Sequence, residues 1–216
     1  RDVNGDLAPD LYVCNDFSSP DRFWINDGRG RFRAVPRLAV RHTSRSSMGI
    51  DFADLNRDGH DDMLVLDMLA RQQARRLVHL DKEKPIPIVV GKFDDRPRYN
   101  RNVLLVSRGD GTWLEAANYA GLEASDWSWT AAFMDVDLDG LEDVLVTNGF
   151  SFDTMDIDSK NRVIAIQKAR RLPAAELKRL RQYRPPWPSP NAAFRNIGGL
   201  KFEPAPEDWG VSHVGV

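Results

Sequence analysis

Cysteine is nearly absent from this chain. Cys14 is the only one in 216 residues, so no intrachain disulfide can form and no Cys/His zinc cluster is possible. The four histidines, His42, His60, His79 and His213, are scattered, with no His-x-x-x-His pair among them. No apolar run approaches the ~20 residues that a membrane-spanning helix needs, and no signal-peptide pattern is present. Positive charge is not in excess either. The formal charge is −2, and no nucleic-acid-binding module can be recognised. Nothing brings a nucleophile and a base together in sequence. What remains is a chain that is 42% hydrophobic, enough to bury a core.

What is abundant is aspartate at regular spacing. Asp135-Val-Asp137-Leu-Asp139-Gly140-Leu141-Glu142-Asp143 carries carboxylates at positions 1, 3, 5 and 9, with a glycine for a sharp turn at position 6. Such a loop can wrap side-chain oxygens and a carbonyl near position 7 around a hard cation. Asp54-Leu-Asn56-Arg-Asp58-Gly59-His60-Asp61-Asp62 repeats the pattern. Asp2-Val-Asn4-Gly5-Asp6-Leu7-Ala8-Pro9-Asp10 is a looser copy, with glycine at position 4 and Leu7 at position 6. An EF-hand would place a bidentate Glu at position 12, where the three copies have Val13, Val65 and Val146. The residues that follow are β-branched and apolar, so each loop is read as the turn of a strand–loop–strand hairpin. Asp-Gly segments also form ordinary turns. Recurrence of the full spacing, each time before a strand, favours Ca²⁺, with two complete loops and a third partial one.

The loops begin at residues 2, 54 and 135, spacings of 52 and 81 residues, and removing about 29 residues of insertion from the second recovers a period near 52. Each unit reads as strand, loop, strand, connector, short strand with Asn, glycine turn, and a strand carrying Phe32, Trp113 or Phe202. Four strands per 50-odd residues is the signature of a propeller blade. The expected fold is all-β, a β-propeller segment of four-stranded blades with two partly helical insertions. An incomplete blade is expected over 1–33. A second blade covers 47–116 with insertion 68–98, a third covers 127–204 with insertion 151–186, and the next begins at 209–216. The chain opens on Arg1, one residue before the first loop, and is expected to be a piece of a longer protein. Its missing blades would come from the same chain or from a partner.

These loops resemble the FG-GAP/VCBS repeats of integrin α-subunit propellers. Ser47 to Asp54, Leu66-Asp67-Met68-Leu69 and Asp126-Trp127-Ser128-Trp129 are similar to bacterial secreted repeat proteins of the ASPIC/UnbV and cartilage-acidic-protein type. The resemblance implies three calcium sites. Asp54, Asn56, Asp58 and Asp62 would ligate one ion, with the His60 carbonyl. Asp135, Asp137, Asp139 and Asp143 would ligate a second, with the Leu141 carbonyl. Asp2, Asn4, Asp6 and Asp10 would ligate a third, with the Ala8 carbonyl.

Among the other residues, Asp61 and Glu142 at position 8 are expected to point outward. Trp113, Trp127 and Trp129 are assigned to packing, the last two because they share strand parity. Trp187, in a proline-rich insertion tip, is the tryptophan best placed for an exposed contact. Asp153, Asp156 and Asp158 are read as a solvated loop, and the basic segments 71–84 and 160–184 as solvated helix faces. Arg108-Gly109-Asp110 spells a tripeptide that integrins recognise, but its Gly-Asp-Gly part is already explained by a hairpin turn.

Two functions follow. The leading one is a non-enzymatic, calcium-stabilised domain for adhesion or for binding a protein or glycan ligand. Oxygen loops of this kind fill at extracellular calcium levels, so the expected location is extracellular, periplasmic or cell-surface. The alternative is the propeller of a secreted or periplasmic enzyme acting on polysaccharide, with acids such as Asp94, Asp95 and Asp126 as candidates. Neither nucleic acid nor a membrane span is expected.

Overall fold

The computed structural model describes residues 1–16, 19–79, 96–169, 173, 176 and 179–214. Its strands are β1 (Leu11–Val13), β2 (Arg22–Asn26), β3 (Phe32–Ala34), β4 (Thr43–Ser44), β5 (Ile50–Ala53), β6 (Asp62–Val65), β7 (Arg98–Tyr99), β8 (Val103–Ser107), β9 (Trp113–Glu115), β10 (Ser128–Met134), β11 (Asp143–Asn148), β12 (Ala192–Asn196) and β13 (Phe202–Pro204). Helices α1 (Gln73–Val78), α2 (Ala117–Ala120) and α3 (Ile157–Ala169) interrupt them. The protein is mostly β. Three antiparallel meanders run β1-β2-β3, β5-β6-β8-β9 and β10-β11-β12-β13, and the short pair β4-β7 is parallel.

The middle meander is buried on both faces. Met63, Val65, Val103 and Leu105 pack toward the first meander, against Val3, Phe23, Val35 and Val40, with the Trp113 ring edge-on to Phe23 at 5.0 Å. The alternate residues Leu64, Leu66, Leu104 and Val106 pack the other way, against Val144, Val146, Ala192, Phe194 and Phe202 of the third meander. A period of two with both sets apolar explains why β6 and β8 read as continuous hydrophobic runs. Burying each such side chain contributes roughly 1.5–3 kcal/mol.

The meanders also meet edge to edge. Asp51 on β5 accepts a hydrogen bond from the Phe133 N–H on β10 at 2.7 Å. Gly49 is needed beside it, because a Cβ there would sit 2.6 Å from the Trp129 carbonyl oxygen.

A side-chain clasp recurs at the end of the sheets opposite the Asp-rich loops. The Asn15 N–H donates to Asp21 Oδ1 at 2.9 Å, the Asp67 N–H to Asn102 Oδ1 at 2.7 Å, and the Asn148 N–H to Asn191 Oδ1 at 2.9 Å. Each clasp ties the exit of the strand that follows the Asp-rich loop to the entry of the next strand of the same meander. Burial raises the Asp21 and Asp67 carboxyls above the usual range, despite several donors to each.

The described parts of the two insertions do not lie apart as solvated arms. Trp187 is 3% exposed and joins Ala70 and Trp127 in a separate small core, flanked by Met68, Phe150 and Met155. The expected exposed contact is therefore a core residue, because residues from both insertions converge on Trp127. Asp153, read as part of a solvated loop, is buried and paired with Arg75 at 2.9 Å and His79 at 2.7 Å. Arg71 pairs with Asp126 at 2.7 Å and Arg76 with Glu123 at 3.0 Å, so this basic segment is pinned rather than solvated. Helix α3 begins at Ile157, with Asp156 Oδ1 accepting from the Ser159 N–H. Trp129 departs from its expected place as well. It is 41% exposed while Trp127 is buried, because a register shift between Ser128 and Thr130 breaks their shared parity.

Candidate metal centre

Each Asp-rich loop joins the first two strands of its unit or leads into one, and all three share one backbone. Position 4 is left-handed at Gly5 (φ 77°), Arg57 (φ 59°) and Leu138 (φ 60°). Position 6 is left-handed at Leu7 (φ 68°), Gly59 (φ 86°) and Gly140 (φ 87°). The first copy, which looked irregular, has only exchanged which of two left-handed positions carries the glycine. Every loop therefore holds one non-glycine residue in a conformation that costs about 1–2 kcal/mol.

The hydrogen bonds that impose this shape recur by position. The position 1 carboxylate accepts from the position 6 N–H: Leu7 to Asp2 at 2.8 Å, Gly59 to Asp54 at 2.8 Å, Gly140 to Asp135 at 2.9 Å. Position 3 accepts from the N–H of position 5, as Asn4 from Asp6, Asn56 from Asp58 and Asp137 from Asp139. Position 5 accepts from position 7, as Asp6 from Ala8, Asp58 from His60 and Asp139 from Leu141. The backbone donors fold each loop around its acids, and among the described residues Asp135, Asp137 and Asp143 of the third loop are the acids brought close together.

Position 9 is the anchor. Asp10, Asp62 and Asp143 are buried. One oxygen of each accepts from the position 2 N–H, of Val3, Leu55 and Val136 at 3.0, 3.2 and 3.0 Å. The other accepts from the N–H at the end of the meander's second strand after the loop, β2, β8 or β12, of Asn26, Ser107 and Asn196 at 2.9, 2.8 and 2.9 Å. Those three residues were not singled out from the sequence. Asn26 and Asn196 also donate their Nδ2 to the position 8 carbonyls of Pro9 and Glu142, each at 3.1 Å. The signal that could have found them is the Asn/Ser-x-Gly turn, since Asn26, Ser107 and Asn196 accept from Gly28, Gly109 and Gly198. Burial pushes the Asp62 carboxyl up to about 6, aided by Asp58 and Asp54 and opposed by its two N–H donors.

In the third loop Asp135, Asp137 and Asp143 present oxygens that all lie within 4.8 Å of one another. Asp135 Oδ1 is buried with no hydrogen-bond partner. An orphaned carboxylate oxygen amid other acids fits a hard divalent cation, which takes oxygen ligands only. In the first two loops an Asn replaces the third-position acid, and its Nδ2 donates to position 5, Asn4 to Asp6 and Asn56 to Asp58, both at 2.9 Å.

Neighbouring loops touch. The Arg1 guanidinium pairs with both oxygens of Asp61, so this position 8 acid joins two units rather than pointing freely outward. Arg57 of the second loop lies over Gly140 of the third, where a Cβ would come 2.8 Å from its Nη2. His60 covers Gly109 in the same manner, with its Nε2 2.6 Å from that position. The adjoining Asp110 carboxylate is held by the Thr112 N–H and hydroxyl at 3.0 and 2.5 Å, which lower its pKa. Burial and nearby Asp21 push the Cys14 thiol up to about 12, which leaves it unreactive. Of the acids considered for an enzyme, Asp94 and Asp95 lie outside the described residues, and Asp126 is tied to the Arg71 N–H and guanidinium.

A repeated strand–loop–strand unit with a buried closing aspartate defines a repeat domain. The FG-GAP-like repeat model matches residues 2–65 and 88–146. These spans contain all three loops and more than half of the chain, which belongs to the FG-GAP-like repeat family. No curated protein matches it. No helix among the described residues is long and apolar enough to cross a membrane.

Proposed function

We propose that the chain is a non-enzymatic, calcium-stabilised propeller segment that works in adhesion or ligand binding outside the cytoplasm. The observation that carries this reading is the third loop, where three carboxylates converge and one buried oxygen has no partner. Asp135, Asp137, Asp139 and Asp143 would hold one Ca²⁺, Asp54, Asn56, Asp58 and Asp62 a second, and Asp2, Asn4, Asp6 and Asp10 a third. The carbonyls of Leu141, His60 and Ala8 would complete them. Bound calcium supplies the positive charge that crowded carboxylates require, so its binding energy becomes folding energy. The three meanders would be blades, and further blades of the same or a partner chain would complete the ring. The closer kinship with bacterial secreted ASPIC/UnbV-type proteins rests on Ser47 to Asp54, Leu66 to Leu69 and Asp126 to Trp129.

The test is thermal unfolding of demetallated protein with Ca²⁺, Mg²⁺ or chelator, alongside calorimetric titration. Two or three calcium sites and a rise in Tm of several degrees support the reading. Identical melting curves in calcium and in chelator defeat it.

A further inference from the structure

The third loop differs from the other two, among the described residues, in a cation that reaches its position 3 and position 5 acids. Arg195, on β12, places Nε 2.7 Å from Asp137 Oδ2 and a terminal nitrogen 3.5 Å from Asp139 Oδ2. The contact is an ion pair rather than an aligned hydrogen bond. Counting back from the strand-end residues Asn196, Ser107 and Asn26, the equivalents of Arg195 are Val106 and Ile25. Neither can carry charge. The exchange is matched at position 3, which is Asp137 here and Asn56 or Asn4 in the other loops. There, the amide of the Asn reaches the position 5 carboxylate. Here, the guanidinium spans positions 3 and 5. Counting positions 1, 3, 5 and 9 alone, each copy then carries the same formal charge: three acids and an Asn, or four acids and an Arg.

We propose that Arg195 is a built-in counter-cation of the third loop, which holds Asp137 and Asp139 together without metal and opposes Ca²⁺ when it arrives. The proposal rests on the calcium reading above. A guanidinium that shares two carboxylates with an incoming dication repels it and occupies oxygens it would use. The loop with the most carboxylates is therefore the weaker calcium site of the two complete loops. It is the one poised to fill and empty as calcium changes, while the second loop stays loaded. Arg57 also lies by this loop, but over the Gly140 backbone.

The experiment is a Ca²⁺ titration followed by amide NMR at Gly59 and Gly140, whose N–H groups donate to the position 1 acids of the two loops. In the native chain the Gly140 midpoint should lie at a higher calcium concentration than the Gly59 midpoint. In Arg195→Gln the Gly140 midpoint should fall about tenfold, with Gly59 unmoved. The same variant should melt below the native protein in chelator and not below it in saturating calcium. A Gly140 midpoint that is unchanged or raised in Arg195→Gln overturns the proposal and makes Arg195 a simple brace. If that variant does not fold, Asp137→Asn with Arg195→Gln recreates the charge pattern of the second loop. Its Gly140 midpoint should then match that of Gly59, and a midpoint still at the native value overturns the proposal equally. If neither glycine responds to millimolar calcium in the native chain, the calcium reading itself has failed.

Discussion

The two ends of the sheets treat their acids in opposite ways. At the loop end, Asp54, Asp58 and Asp62, like Asp135 and Asp143, face backbone N–H groups and one another. Those donors orient the carboxylates without neutralising them, which is the arrangement the proposed calcium reading requires. At the insertion end, Asp153, Asp126 and Glu123 each meet an arginine, and Asp153 meets His79 as well. That end brings its own counter-ions and closes over a tryptophan. Charge count alone does not separate the two ends. What separates most of their acids is whether the partners are dipoles or ions, with Asp61 (to Arg1) and Asp137 (to Arg195) the ionic exceptions at the loop end.

The largest way to break this contrast is Asp143→Ala. It removes a ligand and strands the Val136 and Asn196 N–H groups, which should cost about 4 kcal/mol in chemical denaturation. It should also abolish calcium stabilisation of that loop. Trp187→Ala should cost about 3 kcal/mol, yet leave the calcium response intact. Hydrogen exchange should rise around residues 68–79 and 150–163 and not in β6 or β8.

Acidity should separate the ends by sign. Asp62 is raised to about 6 by burial, so without metal the folded state holds its proton more tightly than the unfolded chain. Its contribution is present at low pH and is lost as pH climbs from about 4 through 6. Asp153 is the reverse. Burial pulls its carboxyl up, but His79 and Arg75 outweigh burial and hold it below the usual range. Its contribution is present above the normal carboxylate pKa and is lost as pH falls. Stability against pH in chelator, for the native chain, Asp62→Asn and Asp153→Asn, should show these opposite slopes. A native slope retained in both variants would show that other groups set it. The smallest effect is Leu7→Gly, which relieves a left-handed residue that is 93% exposed and should stabilise by about 1 kcal/mol.

The all-β pattern and the gathering of the loop acids were legible because both depend on short-range spacing. A two-residue period makes Met63 to Leu66 a strand, and a fixed Asp-x-Asp-x-Asp-Gly order makes a loop. The kinship of Gly5-x-Leu7 with Arg57-x-Gly59 was hidden, because two positive-φ positions with one residue between them can each take the glycine, and the glycine marks only one of them. Asn26, Ser107 and Asn196 escaped notice because their N–H groups do the anchoring, and any residue type supplies that. Trp187, Asp153 and His79 were misread or missed because their partners lie far along the chain, across two insertions. Trp129 was misplaced by one irregular step in register. Arg195 looked like one more basic residue, since only alignment of the units reveals apolar residues in its place.

The recurrent clasp opposite the loops has a consequence for how such chains grow. It spans 6 residues at Asn15–Asp21, 35 at Asp67–Asn102 and 43 at Asn148–Asn191. Both insertions enter through this one gate, and the strands on either side keep their register. Widening a flexible loop from the shortest span to the longest costs only roughly 2 kcal/mol of closure entropy, and a side-chain bond at the neck hides the change from the sheet. The Asn15–Asp21 connection, still short, is therefore a ready port for grafting a foreign segment.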